Sequence, residues 1–158
     1  MKTVIRRYRP ETDESGLREC FVALQDHEHD FAPEALTGAE LVDEYVPFML
    51  ERVRETGGVI FIAELEGNII GFATAIVTQR TEPDDIDPFH VEVTELSVLP
   101  EARSHGIGRK LLDAAERFAR DKGSPSLILR VLAKNAGARR FYERFGLDDW
   151  VHTLRKEL

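Results

Sequence analysis

Eighteen residues, Glu95 to Leu112, constrain the fold more than any other part of the chain. A strand-like stretch ends in Val98-Leu99-Pro100, a turn follows at Arg103-Ser104-His105-Gly106-Ile107-Gly108, and a helical pattern leaves it. A helix that begins directly after a strand must fold back onto the sheet and aim its N-terminus past the strand's end. Helix N-termini carry unpaired N–H groups and the positive end of the helix dipole, so they bind anions. Glycines 106 and 108 let the main chain approach a ligand closely, and Arg103, His105, Arg109 and Lys110 add local positive charge. A pyrophosphate is the implied guest. The turn is not a Walker A loop, because no GxxxxGK[ST] run exists, and GxGxxG fails because Leu111 stands where the third glycine belongs.

The rest of the chain reads as one domain over residues 1–158. Leu17, Cys20, Phe21 and Leu24 form one stripe of a helix over 12–25, and Thr37-Gly38-Ala39-Glu40 is a capping box opening a second, which Gly57-Gly58 ends. Val59–Leu65 and Ile69–Val77 form a hairpin around Glu66-Gly67-Asn68, and Thr78–Phe89 reads as an exposed loop. A helix over 108–122 buries Ile107, Leu111, Ala115, Phe118 and Ala119, and Ser126–Ala133 is a strand. Asn135 caps a short helix closed by Gly146, and Trp150–Glu157 is a last strand. The economical packing is an α/β (α+β) architecture, a central mixed sheet with helices on its faces.

The strand His90–Val98 contains a fault. Val91 and Val93 put the apolar phase on odd numbers, Leu96 and Val98 on even ones. One extra residue near Thr94-Glu95, a β-bulge, restores the period and gathers Glu92, Glu95 and Ser97 on one polar face. A strand buried on both sides is the alternative.

Composition excludes several functions. Lys plus Arg is 21 against 29 Asp plus Glu, a net charge of -8, which argues against nucleic-acid or anionic-membrane binding. The single Cys20 allows no internal disulfide and lies on an apolar stripe, as a core residue would. No Cys/His spacing suggests a metal, and Asp26-His27-Glu28-His29-Asp30 reads as a polar loop. Neither a signal peptide nor a membrane span is recognisable, which points to a cytoplasmic protein.

The R-x-x-G-x-G turn and Asn135-Ala-Gly-Ala-Arg-Arg-Phe-Tyr-Glu-Arg-Phe-Gly-Leu147, about 30 residues downstream, together resemble the GNAT superfamily of acyl-CoA-dependent N-acetyltransferases, with its mostly antiparallel sheet. The resemblance covers nearly the whole chain. It implies acetyl-CoA as donor and an amine as acceptor, with direct transfer in a ternary complex. It carries the coenzyme's pyrophosphate to Arg103, Ser104, His105, Gly106, Ile107, Gly108 and Arg109. The pantetheine arm and thioester carbonyl go to the backbone around Leu96, Ser97 and Val98, where the family's strand opens away from its neighbour. Asn135, Ala138, Arg139 and Tyr142 share one helix face, so Asn135 would hold the arm, Ala138 leave room, and Tyr142 protonate the departing thiolate as a general acid. An ammonium with a pKa near 10.4 must lose a proton before it attacks, and Glu92 or Glu95, directly or through water, would take it.

Asp26, Glu28, Asp30, Asp84, Asp85 and Asp87 give the acceptor mouth an acidic rim that favours a cationic amine. A rival reading keeps the fold without the reaction, as an acyl-CoA-binding sensor; a nucleotide-binding protein is the third. Many members of the family end in two strands after the last helix, and here a single strand fits. The missing strand supplied by a second subunit would make a homodimer.

Overall fold

In the computed structural model, which describes residues 2–158, five strands form one sheet in the order β1-β2-β3-β4-β5. These are β1 (Val4–Arg7), β2 (Val59–Leu65), β3 (Asn68–Gln79), β4 (Phe89–Val98) and β5 (Leu127–Leu129). The first four pair antiparallel and β5 pairs parallel to β4, giving the mixed, mostly antiparallel sheet that the element order implied. Helices α1 (Glu14–His29) and α2 (Gly38–Thr56) cover one face, and α3 (Ile107–Asp121) covers the other. A short α4 (Ala136–Phe145) lies against the start of α3.

Alternation on β2 decides which side chain enters which core. Ile60 and Ile62 meet Leu17, Phe21 and Met49 under α1 and α2. Val59 faces Ala115 and Phe118, and Ala63 faces Ile107 and Leu111, both under α3. Leu17, Phe72 and Leu111 are fully buried, each contributing about 2 kcal/mol of burial. Cys20 is buried in the same core, and burial pushes its thiol up to about 12, so it is inert packing.

Local signals explain most boundaries. Thr37 and Glu40 form the capping box of α2, and Gly57 ends it at φ 68°. Glu66 and Gly67, at φ 51° and 80°, make the tight β2–β3 turn. Four expectations need correction. β1 has no counterpart in the sequence reading: four residues with two arginines carry little apolar signal, and the strand is held by pairing to β2. The first helix continues to His29, so Asp26–Asp30 is its final turn and cap rather than a loop. β5 spans three residues, not Ser126–Ala133. Trp150–Glu157 forms no strand; Trp150 and Val151 stay exposed, Trp150 tied through its indole Nε1, which donates to Asp87 at 2.7 Å.

One ion-pair network joins the N-terminal strand to this frame. Arg6 donates to both carboxylate oxygens of Asp13 at 2.6 and 3.0 Å and to Glu64 at 2.6 Å. Asp13 also accepts from the Arg9 N–H at 2.7 Å, and its side chain is 2% exposed. The Arg6 guanidinium holds the Asp13 carboxyl down at about 2. A carboxylate depressed on folding contributes stability above its unfolded pKa and loses it as pH falls through the folded value. Asp13 should therefore contribute about 2 kcal/mol at neutral pH, lost between about pH 4 and pH 2. Urea unfolding of Asp13→Asn should show a loss of about 3 kcal/mol at pH 7 that shrinks through that window.

Candidate active site

The β-bulge expected near Thr94-Glu95 is present. Glu95 pairs with Thr74 and Val93 with Ala75, so Thr94 is the extra residue on β4. Its consequence for side chains is the one expected. Val91 and Val93 face α3, and Leu96 and Val98 stay with that layer. Glu95 and Ser97 turn toward α1 and α2: Ser97 Oγ donates to the Cys20 carbonyl at 2.8 Å, and Glu95 reaches α2.

The bulge also changes where the main chain points. Before it, the Val91 N–H is directed at β5, donating to the Ser126 carbonyl at 3.3 Å. After it, the Leu99 N–H donates to Ile70 of β3 at 2.9 Å. Antiparallel ladders alternate, so Glu95, Ser97 and Leu99 address β3 while Leu96 and Val98 address the opposite side. On that side β5 pairs only with Val91, Glu92 and Val93. β5 ends at Leu129, opposite Val93, so beyond that point the peptide groups of Leu96 and Val98 have no ladder partner on this side among the described residues. One of them is engaged: the Val98 carbonyl accepts from Arg103 Nε at 2.9 Å.

The turn after β4 closes the far end of this unpaired stretch. A short 3₁₀ turn over Pro100–Ala102 leads to Ser104 at φ 65° and Gly106 at φ 74°, and α3 begins at Ile107. The first intrahelical bond is from Lys110 N–H to Gly106, leaving the N–H groups of Gly106, Ile107, Gly108 and Arg109 without intrahelical partners. A positive φ at the non-glycine Ser104 is costly and collects where backbone geometry serves a site. The two glycines differ. At Gly106 the conformation itself demands glycine, and a Cβ there would meet open space. At Gly108 a Cβ would meet Phe141 at 3.3 Å, so that glycine seats α4 against α3 rather than admitting a ligand. The Ile107 side chain is buried core, so only its backbone is available to a guest. Arg109 lies over the Phe145 ring, 5.5 Å from its centroid. His105 and Arg103 are exposed, His105 with Nδ1 3.4 Å from the Ala102 carbonyl.

On α4, Asn135 caps the helix through Oδ1, which accepts from the Ala138 N–H at 3.1 Å. Its side-chain amide remains free to donate. Tyr142 is half-buried, with no hydrogen bond to its hydroxyl among the described residues. Burial and the nearby Glu28 push its phenol up to about 12, so it keeps its proton throughout the neutral range.

The strand carboxylates occupy different surroundings. Glu95 is buried and accepts from Arg52 at 2.7 Å, from Thr94 at 2.5 Å and from the Tyr45 hydroxyl. Tyr45 stacks on Phe21 with centroids 4.8 Å apart, and Arg52 lies over Phe48 at 5.0 Å. Glu92 is more open, with Arg130 at 3.5 Å and His90 at 4.0 Å. Arg52 is the site residue that the sequence reading lacks. It continues the Tyr45–Met49 stripe of α2 by one turn, and a charge on an apolar stripe is the available signal. The His/Asp/Glu segment 26–30 does not converge: among the described residues no group of three such side chains could hold a metal.

The profile of the acetyltransferase (GNAT) family matches residues 13–147. The chain belongs to this family. An uncharacterized N-acetyltransferase of Archaeoglobus fulgidus is 31% identical over 131 residues, 78% of this chain and 76% of that protein. The uncharacterized N-acetyltransferase YhfO of Bacillus subtilis is 32% identical over 102 residues, 65% of this chain and 66% of that one. A mycothiol acetyltransferase of Thermomonospora curvata is 33% identical over 143 residues, and the match spans 90% of this chain but only 43% of that longer protein. In structure, an aminoglycoside N-acetyltransferase, AAC(6')-Iy, solved with CoA, superposes with a TM-score of 0.74 at 18% identity, covering 99% of this chain and 95% of that one. A putative acetyl transferase from Pyrococcus furiosus gives 0.76 at 21%, covering 99% and 100%. These likenesses establish a GNAT fold. Among the described residues no helix is long and apolar enough to cross a membrane.

The Glu95 network is a test of local architecture. Arg52→Met leaves a buried carboxylate without its cation and should cost about 3 kcal/mol in urea unfolding at pH 7. Tyr45→Phe removes one of three donors and should cost about 1 kcal/mol.

Proposed function

We propose that this protein transfers an acetyl group from acetyl-CoA to a primary amine by direct attack in a ternary complex. The observation that carries the reading is the end of β4–β5 pairing at Val93, beyond which the N–H groups of Leu96 and Val98 and the Leu96 carbonyl have no ladder partner on the side that leads to the N-terminus of α3. A linear ligand with an anionic end fits such an edge. The N–H groups from Gly106 to Arg109, with the Arg103, His105 and Ser104 side chains around them, would take the diphosphate. The pantetheine arm would run along Leu96, Ser97 and Val98 as an added, partial strand, with the Asn135 amide donating from the other side.

The chemistry follows from what flanks that edge. The amine nitrogen attacks the thioester carbonyl, and the resulting oxyanion is met by a main-chain donor of the opened β4. The C–S bond breaks and the thiolate takes a proton from Tyr142, whose phenol stays protonated at neutral pH. Ala138, one turn before Tyr142 on the same face, leaves room for the sulfur. The proton shed by the amine leaves toward the acidic face of β4, where Glu92 or Glu95 takes it directly or through water. Three donors engage the Glu95 carboxylate, whereas Glu92 is the more open of the two.

Thiol release from acetyl-CoA in the presence of a set of amines tests the reading. Wild-type protein should release coenzyme A in proportion to acetylated amine found by mass spectrometry, and no amine-dependent release would refute it. Tyr142→Phe should lower kcat by about 100-fold with an unchanged dissociation constant for acetyl-CoA. Gly106→Val should instead abolish coenzyme binding in calorimetry, because a β-branched residue cannot take φ 74° without strain.

A further inference from the structure

Of the six acids on the rim of the acceptor mouth, three hold the fold, Asp30 and Asp84 are exposed without side-chain partners among the described residues, and Glu28 is set apart by its place on α1. Asp26 accepts from the Gly38 N–H at 2.8 Å and pins the start of α2. Asp85 accepts from the N–H groups of Thr81 and Glu82 at 2.8 and 3.2 Å and shapes the β3–β4 loop. Asp87 accepts from the Trp150 indole. Glu28 plays no such part: no hydrogen bond or ion pair engages its carboxylate among the described residues.

Its place on α1 is informative. Leu17, Phe21, Leu24 and Glu28 follow at helical spacing, so Glu28 continues the stripe that packs against the sheet. Cys20, on the same side, meets Ser97 of β4. Eight residues further on, about 12 Å along the axis, the stripe reaches the level where a carboxylate replaces the apolar residue. There the helix end opens to solvent, and Glu28 is reachable from outside. Two elements close on it. Partial loss of water and then the charge of Glu95 on β4 raise the Glu28 carboxyl from its ordinary value, and Glu28 in turn helps to raise Tyr142 of α4. From α2, Arg52 and Tyr45 face Glu95 and are bound to it, so neither neutralises Glu28. An unpartnered carboxylate at the end of the sheet-facing stripe thus feels the charge of a second carboxylate and acts in turn on the tyrosine that would protonate the leaving group. A cation placed among them would relieve the repulsion.

We propose that Glu28 is the docking group for the acceptor's ammonium, holding a cationic amine between Glu95 and Tyr142 and selecting charged acceptors over neutral ones. This deepens the transferase reading and rests on it. The interaction is made with the bound amine before transfer, so it acts on acceptor affinity more than on the chemical step.

The test compares two acceptors, spermidine, which is cationic at pH 7.5, and p-anisidine, an arylamine that is neutral there. Glu28→Gln preserves shape and removes charge. It should raise KM for spermidine at least about tenfold with kcat nearly unchanged, and leave kcat/KM for p-anisidine and the affinity for acetyl-CoA unaltered. Glu28→Asp should recover part of the spermidine affinity. The Tyr142 phenol should titrate at lower pH in Glu28→Gln, a readout that requires no acceptor. Equal losses on both amines, or no loss on either, would overturn the docking role. So would a wild-type protein that binds acetyl-CoA but acetylates p-anisidine alone or neither amine. Failure to bind acetyl-CoA at all would instead bring down the transferase reading.

Discussion

One inserted residue, Thr94, sets the direction of everything that follows it on the central strand. β4 pairs with β3 on both sides of it, but the odd-numbered peptides that address β5 before the bulge, such as Val91, address β3 after it, as Leu99 does. The same shift sends the Glu95 and Ser97 side chains to the α1/α2 face while keeping Leu96 and Val98 on the α3 face. An unbroken strand would drive the Glu95 carboxylate into the apolar layer under α3, where an unpaired charge is prohibitively costly. The bulge therefore places a buried ion pair on one side of the sheet and frees peptide groups at its edge. Both features come from a single register change, which is why bulges concentrate beside active sites.

Charge is arranged so that fixed and available groups are distinct. Arg52, Tyr45 and Thr94 saturate Glu95, and Arg6 and the Arg9 N–H saturate Asp13, so these buried carboxylates organise the structure. Tyr142 and Glu28 lack such partners among the described residues, and it is to these two that the proposed transfer assigns the leaving group and the acceptor. The start of α3 offers N–H donors and exposed cations despite a net charge of -8. Screening over about 8–10 Å lets a local cationic turn persist on an acidic protein.

Much of this was legible in the sequence because it rests on local rules. The phase fault between Val93 and Leu96 can be explained only by an extra residue or by burial on both faces, and the pairing of Glu95 with Thr74 and of Val93 with Ala75 decides for the extra residue. Thr37 with Glu40, Asn135 and Gly146 marked helix ends through side-chain and backbone chemistry that needs no tertiary context. What escaped depends on distant partners. β1 is a strand because β2 offers it an edge, and Trp150–Glu157 is not one despite its alternation because nothing pairs with it. Gly108 reads like its neighbour Gly106, yet only packing reveals that Phe141 occupies the space its missing side chain leaves. Likewise, six acids near the mouth look alike until their hydrogen bonds assign three of them to loops and helix starts.

The account depends on the free amides of β4 and α3 being the coenzyme's binding surface. The direct measurement is backbone amide hydrogen exchange, residue by residue, with and without coenzyme A. Slowed exchange should appear at Leu96 or Val98 and at Gly106 to Arg109, with little change along β1 and β2. Saturable binding that protects other segments and leaves these amides unchanged would contradict it.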